Sequence, residues 1–335
     1  MPESSSVKGT NYIDKELTFE NDLKKMQMAI DSHLDEFFNT KNDESYVVEK
    51  TFPAKLYEAM KYSVANGGKR IRAYLCYKIG EALGKTNPNL LRAACSVEMI
   101  HAYSLIHDDL PAMDNADLRR GKPSNHKVYG EATAILAGDA LLTLAFEWMS
   151  SLSLDNKNYP LLHTERSSQC VRILAECAGM RGMVGGQIMD LEAEGKDVEI
   201  EYLVKMHEGK TSALIQAPLL IGFLLSADDL TGFDTLKEYG KYLGLLFQVV
   251  DDILDVKGDA SKLGKETGKD AKAHKATYPA ILGLEESKQY AKKIHEETIN
   301  LLDKFKKERE IAAPDAKCDL KRFYQVTDYI LNREA

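Results

Sequence analysis

The stretch VEMIHAYSLIHDDLPAMDNADLRRG (Val97–Gly121) sets the terms for the whole chain. Its first ten residues are largely apolar, and its last fifteen carry four aspartates and two arginines. A second apolar segment, ATAILAGDALLTLAF (Ala132–Phe146), follows at once. His101 and Asp108 lie about two helical turns apart and share a face. Pro111 disfavours helical geometry at Leu110 and removes a backbone donor, so the helix is expected to end at Asp108–Asp109. The bend that follows can bring Asp114 back beside Asp108. Charge of both signs is thus concentrated between two segments built for burial.

Working outward, nearly every strong pattern has a helical period. Leu56, Met60, Ser63 and Val64 form one face, Leu142, Ala145, Phe146 and Met149 a second, and Leu236, Tyr239, Leu243 and Leu246 a third. Period-two alternation is hard to find. The expectation is an all-α fold of about ten helices in one large bundle, several of them apolar all round and central. The uncharged run TSALIQAPLLIGFLLSA (Thr211–Ala227) contains Pro218 and falls short of the roughly 20 residues that cross a bilayer, so a buried helix is expected and no transmembrane segment. No composition shift or repeat divides the chain. Residues 21–335 read as one domain, and residues 1–20 as a poorly ordered lead.

The chain of 335 residues is 44% hydrophobic and carries a net charge of -8. That charge argues against nucleic acid and anionic membranes as partners, so an anionic ligand needs a local reversal of field. Five cysteines without short paired spacings fit neither zinc nor a disulfide framework, and point to a reducing, cytoplasmic setting.

A second acidic group occurs in FQVVDDILDVKGD, where Gln248, Asp252 and Asp255 share a helix face and Asp251 is adjacent. It too follows an apolar run, Tyr242–Val250. Carboxylates emerging from a buried helix are costly unless neutralised. One such group alone would read as a solvated helix end; two of like design suggest a cage for divalent ions. Oxygen-only donors favour magnesium or manganese over zinc. Basic, glycine-containing segments complete the set: NGGKRIR (Asn66–Arg72), Arg119–Arg120, HEGKTSAL with Lys210, and the stretch holding Lys265, Lys269 and Lys275. Such donors suit phosphate. No nucleophile elbow, GxxxxGK[ST] loop or GxGxxG turn is present. The residues therefore reach as far as metal-assisted chemistry on a diphosphate beside an apolar cavity.

At this point the chain resembles the trans-isoprenyl diphosphate synthases. DDLPAMD looks like that family's first aspartate-rich motif in its form with two extra residues, and DDILD like the second. GGKRIR, LRRGKP, GQIMD (Gly186–Asp190), GKTSAL and GKETGKD match in order, over roughly Phe52 to Gly283. The resemblance implies the isoprenoid synthase fold, a homodimer, and condensation of isopentenyl diphosphate with an allylic diphosphate. It implies three magnesium ions held by Asp108, Asp114 and Asp251, with Asp109 and Asp255 in support. Arg119, Lys210 and Lys265 would contact the allylic diphosphate, and Lys69, Arg72, His101 and Arg120 the isopentenyl diphosphate. Thr211, Gln248 and the Lys210 carbonyl would face the allylic cation, and Lys275 would help close the C-terminal loop.

Tyr103 and Ser104, five and four residues before Asp108, stand where this family's product tunnel is floored. A tyrosine there favours farnesyl diphosphate, with geranylgeranyl diphosphate as the alternative. A class I terpene cyclase, a non-catalytic partner subunit of another synthase and a metal-dependent phosphohydrolase are the rival classes.

Overall fold

The computed structural model describes residues 18–39, 53–153, 160–257 and 276–333. The N-terminal helix α1 (Phe19–Asn39) is amphipathic, burying Leu23, Met26, Ile30, Leu34 and Phe38 at helical spacing. It begins inside the segment expected as a lead, because Phe19 packs edge-on against Tyr74 at 5.8 Å. Helices α2 (Ala54–Val64) and α3 (Ile71–Ala82) follow, then α4 (Pro88–Asp108). The Asn87 side chain accepts from the Asn89 N–H and Pro88 occupies the first turn, a combination that starts α4 cleanly.

After α4 the chain makes a small antiparallel ribbon, β1 (Leu118–Arg119) paired with β2 (Lys122–Pro123). Arg120 and Gly121 both have positive φ, 54° and 77°, as a tight two-residue hairpin turn requires. Two residues per strand leave no alternation for a sequence pattern to show.

The remaining helices are α5 (Asn125–Tyr129), α6 (Glu131–Ser150), α7 (Pro160–Ala178), α8 (Met183–Ala193), α9 (Ile200–His207), α10 (Ala213–Ser226), α11 (Phe233–Lys257), α12 (Tyr278–Leu282), α13 (Leu284–Ala312) and α14 (Lys321–Asn332). That makes fourteen α-helices among the described residues, the all-α architecture expected. Between α9 and α10, Glu208–Ser212 forms a π-helical turn. The most extensive packing is α4 on α6, α11 on α13 and α10 on α3. A Cβ on Gly222 would stand 2.2 Å from the Cys76 carbonyl oxygen, so glycine is what lets α10 lie this close to α3.

Two helical spans, Glu131–Ser150 and Ile200–Ser226, are long and apolar enough to cross a membrane by length and composition. The second is 72% buried within the fold, as expected of a core helix. The first exposes Ile135 and Leu136, and α8 exposes Val184 and Ile188.

His207, at the end of α9, is buried with Nδ1 3.4 Å from the Tyr278 hydroxyl. Burial, followed by the Lys210 charge, pushes its pKa down to about 3 from the usual 6.5. A depressed histidine pKa contributes stability above pH 6.5 that is lost as pH falls toward 3. We therefore expect His207→Gln to remove about 1 kcal/mol per pH unit from the decline in unfolding free energy between pH 6.5 and 4.5. An unchanged slope in denaturant titrations would contradict this.

Candidate active site

Helix α4 delivers Asp108 and Asp109 at its C-terminal end, and the chain folds back over them. The Asp114 N–H donates to the Asp108 carbonyl at 2.8 Å, and the Ala116 N–H to the Asp109 carbonyl at 3.1 Å. The two carboxylates then part company. Asp109 is buried and its two oxygens accept from Arg119 Nε at 3.0 and 3.2 Å. Asp108 lies within the field of Lys210 and Asp114; burial pushes its pKa up to about 6, against the pull of Lys210.

The second acidic group lies near the end of α11. Asp251 meets Arg333 at 3.4 Å, and Asp255 is buried. Asp252 accepts from Gln248 Nε2 at 2.8 Å and from the Tyr278 N–H at 3.1 Å. Gln248 Oε1 in turn accepts from the Thr211 hydroxyl at 3.0 Å. The π turn thus stands between the two groups: Lys210 acts on Asp108, while Thr211 is tied to α11 one turn before Asp252. Single π turns recur at functional sites because they redirect one side chain out of the regular ladder. Lys210 Nζ is also held by Asp190 at 2.5 Å, from α8.

Among the described residues no three His, Cys, Asp or Glu groups lie close enough together to hold one metal ion. The donors nevertheless fit a hard divalent cation. They are oxygens only, and Asp108 is desolvated beyond what its neighbouring positive charge offsets.

A basic cleft opens on the other side of Asp109, lined by Arg70, Glu98, His101, Asp109, Arg119 and Arg120 among others. Arg120 donates to the Gly67 carbonyl, and its guanidinium lies on Gly68, where a Cβ would meet it at 2.6 Å. Asn66 Nδ2 donates to the Arg119 carbonyl at 3.1 Å. These contacts bring the Asn66–Arg72 loop and the β1–β2 ribbon together, although they are far apart in sequence. Burial, then Arg72, Arg120, Arg70 and Arg119, hold the His101 pKa well below its ordinary value, so the ring is neutral beside them. Arg72 Nε is buried without a hydrogen-bond partner, and Lys69 Nζ stands 5.4 Å from the Tyr329 ring.

Tyr103 is buried, its ring 5.8 Å from His107, whose Nε2 lies 3.0 Å from the Ile135 carbonyl on α6. Ser104 donates back to the His101 carbonyl at 3.0 Å. Lys265 and Lys275 lie outside the described residues. Glu98, Arg70, Asp190 and Arg333 were not singled out from sequence. Asp190 and Arg70 sat inside motifs already quoted, and Glu98 is an acid on an otherwise apolar helix; nothing marked Arg333.

The polyprenyl synthetase family profile matches residues 53–314. A chloroplastic heterodimeric geranylgeranyl pyrophosphate synthase large subunit 1 of Arabidopsis thaliana is 47% identical over 73% of this chain and 66% of its own length. A chloroplastic geranylgeranyl pyrophosphate synthase of Catharanthus roseus is 45% identical over 78% of this chain and 71% of its own. A Helicobacter pylori geranyltransferase, solved with magnesium and isoprenyl diphosphate, superposes with a TM-score of 0.74 at 33% identity, covering 98% of each chain. The profile match takes in both aspartate groups, the π turn and the basic cleft, and the chain belongs to the polyprenyl synthetase family.

Proposed function

We propose that this protein is a prenyltransferase that joins isopentenyl diphosphate head-to-tail to an allylic diphosphate and releases pyrophosphate. The observation that carries this is the pair of separate sites suited to diphosphate on either side of the Asp108–Asp109 tip. One adjoins Lys210 and the two acidic groups; the other is the cleft of His101 and Arg120. A terpene cyclase, which takes no isopentenyl diphosphate, has no use for the second.

Magnesium, three ions in this reading with manganese able to replace it, supplies when bound the positive charge that stabilises a departing pyrophosphate. Asp108, Asp114 and Asp251 would hold it, with Asp255 in support; Asp109 orients Arg119. Lys210 and Arg119 add donors for the same leaving group, joined by Lys265. Thr211 donates to Gln248, so its own oxygen keeps its lone pairs to face a developing allylic cation, with the Lys210 carbonyl beside it. Lys69, Arg72 and Arg120 bind the second diphosphate, and Lys275 helps close over the site. No protein base is required, since the pyrophosphate oxygens can take the proton.

For product length we take geranylgeranyl diphosphate, on the relatives that share 45% and 47% identity and carry that name. The farnesyl product expected from sequence is the second reading, favoured by the buried Tyr103 ring beneath Asp108. Incubation with magnesium, isopentenyl diphosphate and geranyl diphosphate, followed by chromatographic sizing, separates them. A twenty-carbon chain supports the first; a fifteen-carbon chain that lengthens in Tyr103→Ala establishes the second, because removing the ring opens a packed floor.

We further infer a homodimer that covers Ile135 and Leu136 of α6 with Val184 and Ile188 of α8, and a reducing compartment suited to five free cysteines. The cytoplasmic expectation belongs to this proposal; the two plant relatives are named as chloroplastic.

A further inference from the structure

Glu98 has no role in the chemistry above, yet it is 3% exposed and lies on α4 one turn before His101. Oε1 accepts the Ala73 N–H at 3.1 Å, and Oε2 pairs with Arg70 Nη1 at 3.2 Å. Arg70 is itself 5% exposed and fully engaged: Nε donates to Asp31 at 2.9 Å and Nη2 to the Val64 carbonyl at 2.5 Å. All three of its guanidinium nitrogens are thus held by groups of the protein itself.

The backbone at Arg70 is left-handed, with φ 51° and ψ 34°, a conformation a side chain with a Cβ adopts only when surroundings enforce it. Arg70 follows Lys69 directly and precedes Arg72 by two residues, capping the start of α3. The direction in which those two side chains leave the backbone therefore depends on Arg70 staying left-handed. Glu98 also supplies the negative field felt by Arg70, Arg72 and Arg120, which otherwise repel one another.

We infer that Arg70, clamped by Glu98 from α4 and Asp31 from α1, is a positioning residue that fixes where Lys69 and Arg72 meet the diphosphate of isopentenyl diphosphate. This rests on the prenyltransferase reading and assigns three residues to its second substrate alone. Glu98→Gln keeps an acceptor for Ala73 and the shape of the side chain, but removes the charge that holds Arg70. Loss of one charge-assisted clamp loosens the loop and not the Asp108 side of the site.

Steady-state kinetics of the full chain with magnesium test this. In Glu98→Gln the KM for isopentenyl diphosphate rises about tenfold to a hundredfold, while the KM for geranyl diphosphate stays within about twofold. Asp31→Asn, at a more exposed position, moves the same constant in the same direction by less. A purely structural role would lower the number of folded sites and so the apparent kcat, leaving both KM values alone. Equal changes in both constants, or none in that for isopentenyl diphosphate, overturn the inference. A wild-type protein that consumes no isopentenyl diphosphate overturns the prenyltransferase reading beneath it.

Discussion

Asp108→Ala and Asp251→Ala each lower turnover about a thousandfold or more, and the double variant is inactive. Preorganised charge at a departing group typically contributes two to three orders of magnitude for a single donor, and each of these carboxylates would anchor divalent ions rather than one hydrogen bond. The folded state should not suffer to match. The Asp108 pKa is raised to about 6 by burial, so above that pH the ionised carboxylate opposes folding. Asp108→Ala is therefore expected to melt at the same temperature or higher at pH 8 in magnesium-free buffer, while turnover collapses. Thermal melts and isopentenyl diphosphate incorporation on the same samples check both halves; a variant that keeps turnover, or loses it only by unfolding, contradicts the assignment.

The second large effect comes from two glycines that touch no substrate. A Cβ on Gly186 would stand 2.0 Å from the Lys210 backbone nitrogen, and one on Gly244 would stand 2.4 Å from Ser212 Cα. Both neighbours are backbone, so neither can rotate aside. Gly186→Ala or Gly244→Ala must push the π turn out of its seat between α8 and α11. The Lys210–Asp190 and Thr211–Gln248 contacts then lengthen together. Overpacking of this kind costs about 1 to 3 kcal/mol or more, and a displacement near 1 Å of positioned groups costs about a hundredfold in rate. Circular dichroism melts and kcat measurements should show a moderate loss of stability with a larger loss of turnover. A rate within a few-fold of wild type would show that the π turn does not set the site.

The glycine result also marks what sequence alone can and cannot convey. Period-3.6 patterns such as Leu236, Tyr239, Leu243 and Leu246 are local, and all four side chains are buried on α11. The end of α4 at Asp108 follows from the chemistry of Pro111, a neighbour in sequence. Long-range events left weaker traces. The π turn adds one residue to a helix that otherwise reads as continuous from α9 into α10, and no residue type demands it. The i, i+4 spacing of Gln248 and Asp252 puts them on one face, where they do pair, but the Tyr278 N–H that Asp252 also accepts comes from 26 residues away and has no local signal. Arg119, which the family resemblance gives to the allylic diphosphate, is also paired with Asp109, ten residues before it, a contact no local pattern shows. The interlocking of Asn66–Arg72 with Arg120 required the β1–β2 ribbon, whose two-residue strands carry no period.

The most direct test follows pyrophosphate and isopentenyl diphosphate together in one vessel. Purified protein with geranyl diphosphate and magnesium should release one pyrophosphate for each isopentenyl diphosphate joined into a longer prenyl chain, and a chelator should stop both at once. Phosphate or pyrophosphate release without chain growth, or chain growth that persists after magnesium and manganese are removed, would contradict two acidic helix ends acting as one divalent-cation site on a prenyl diphosphate.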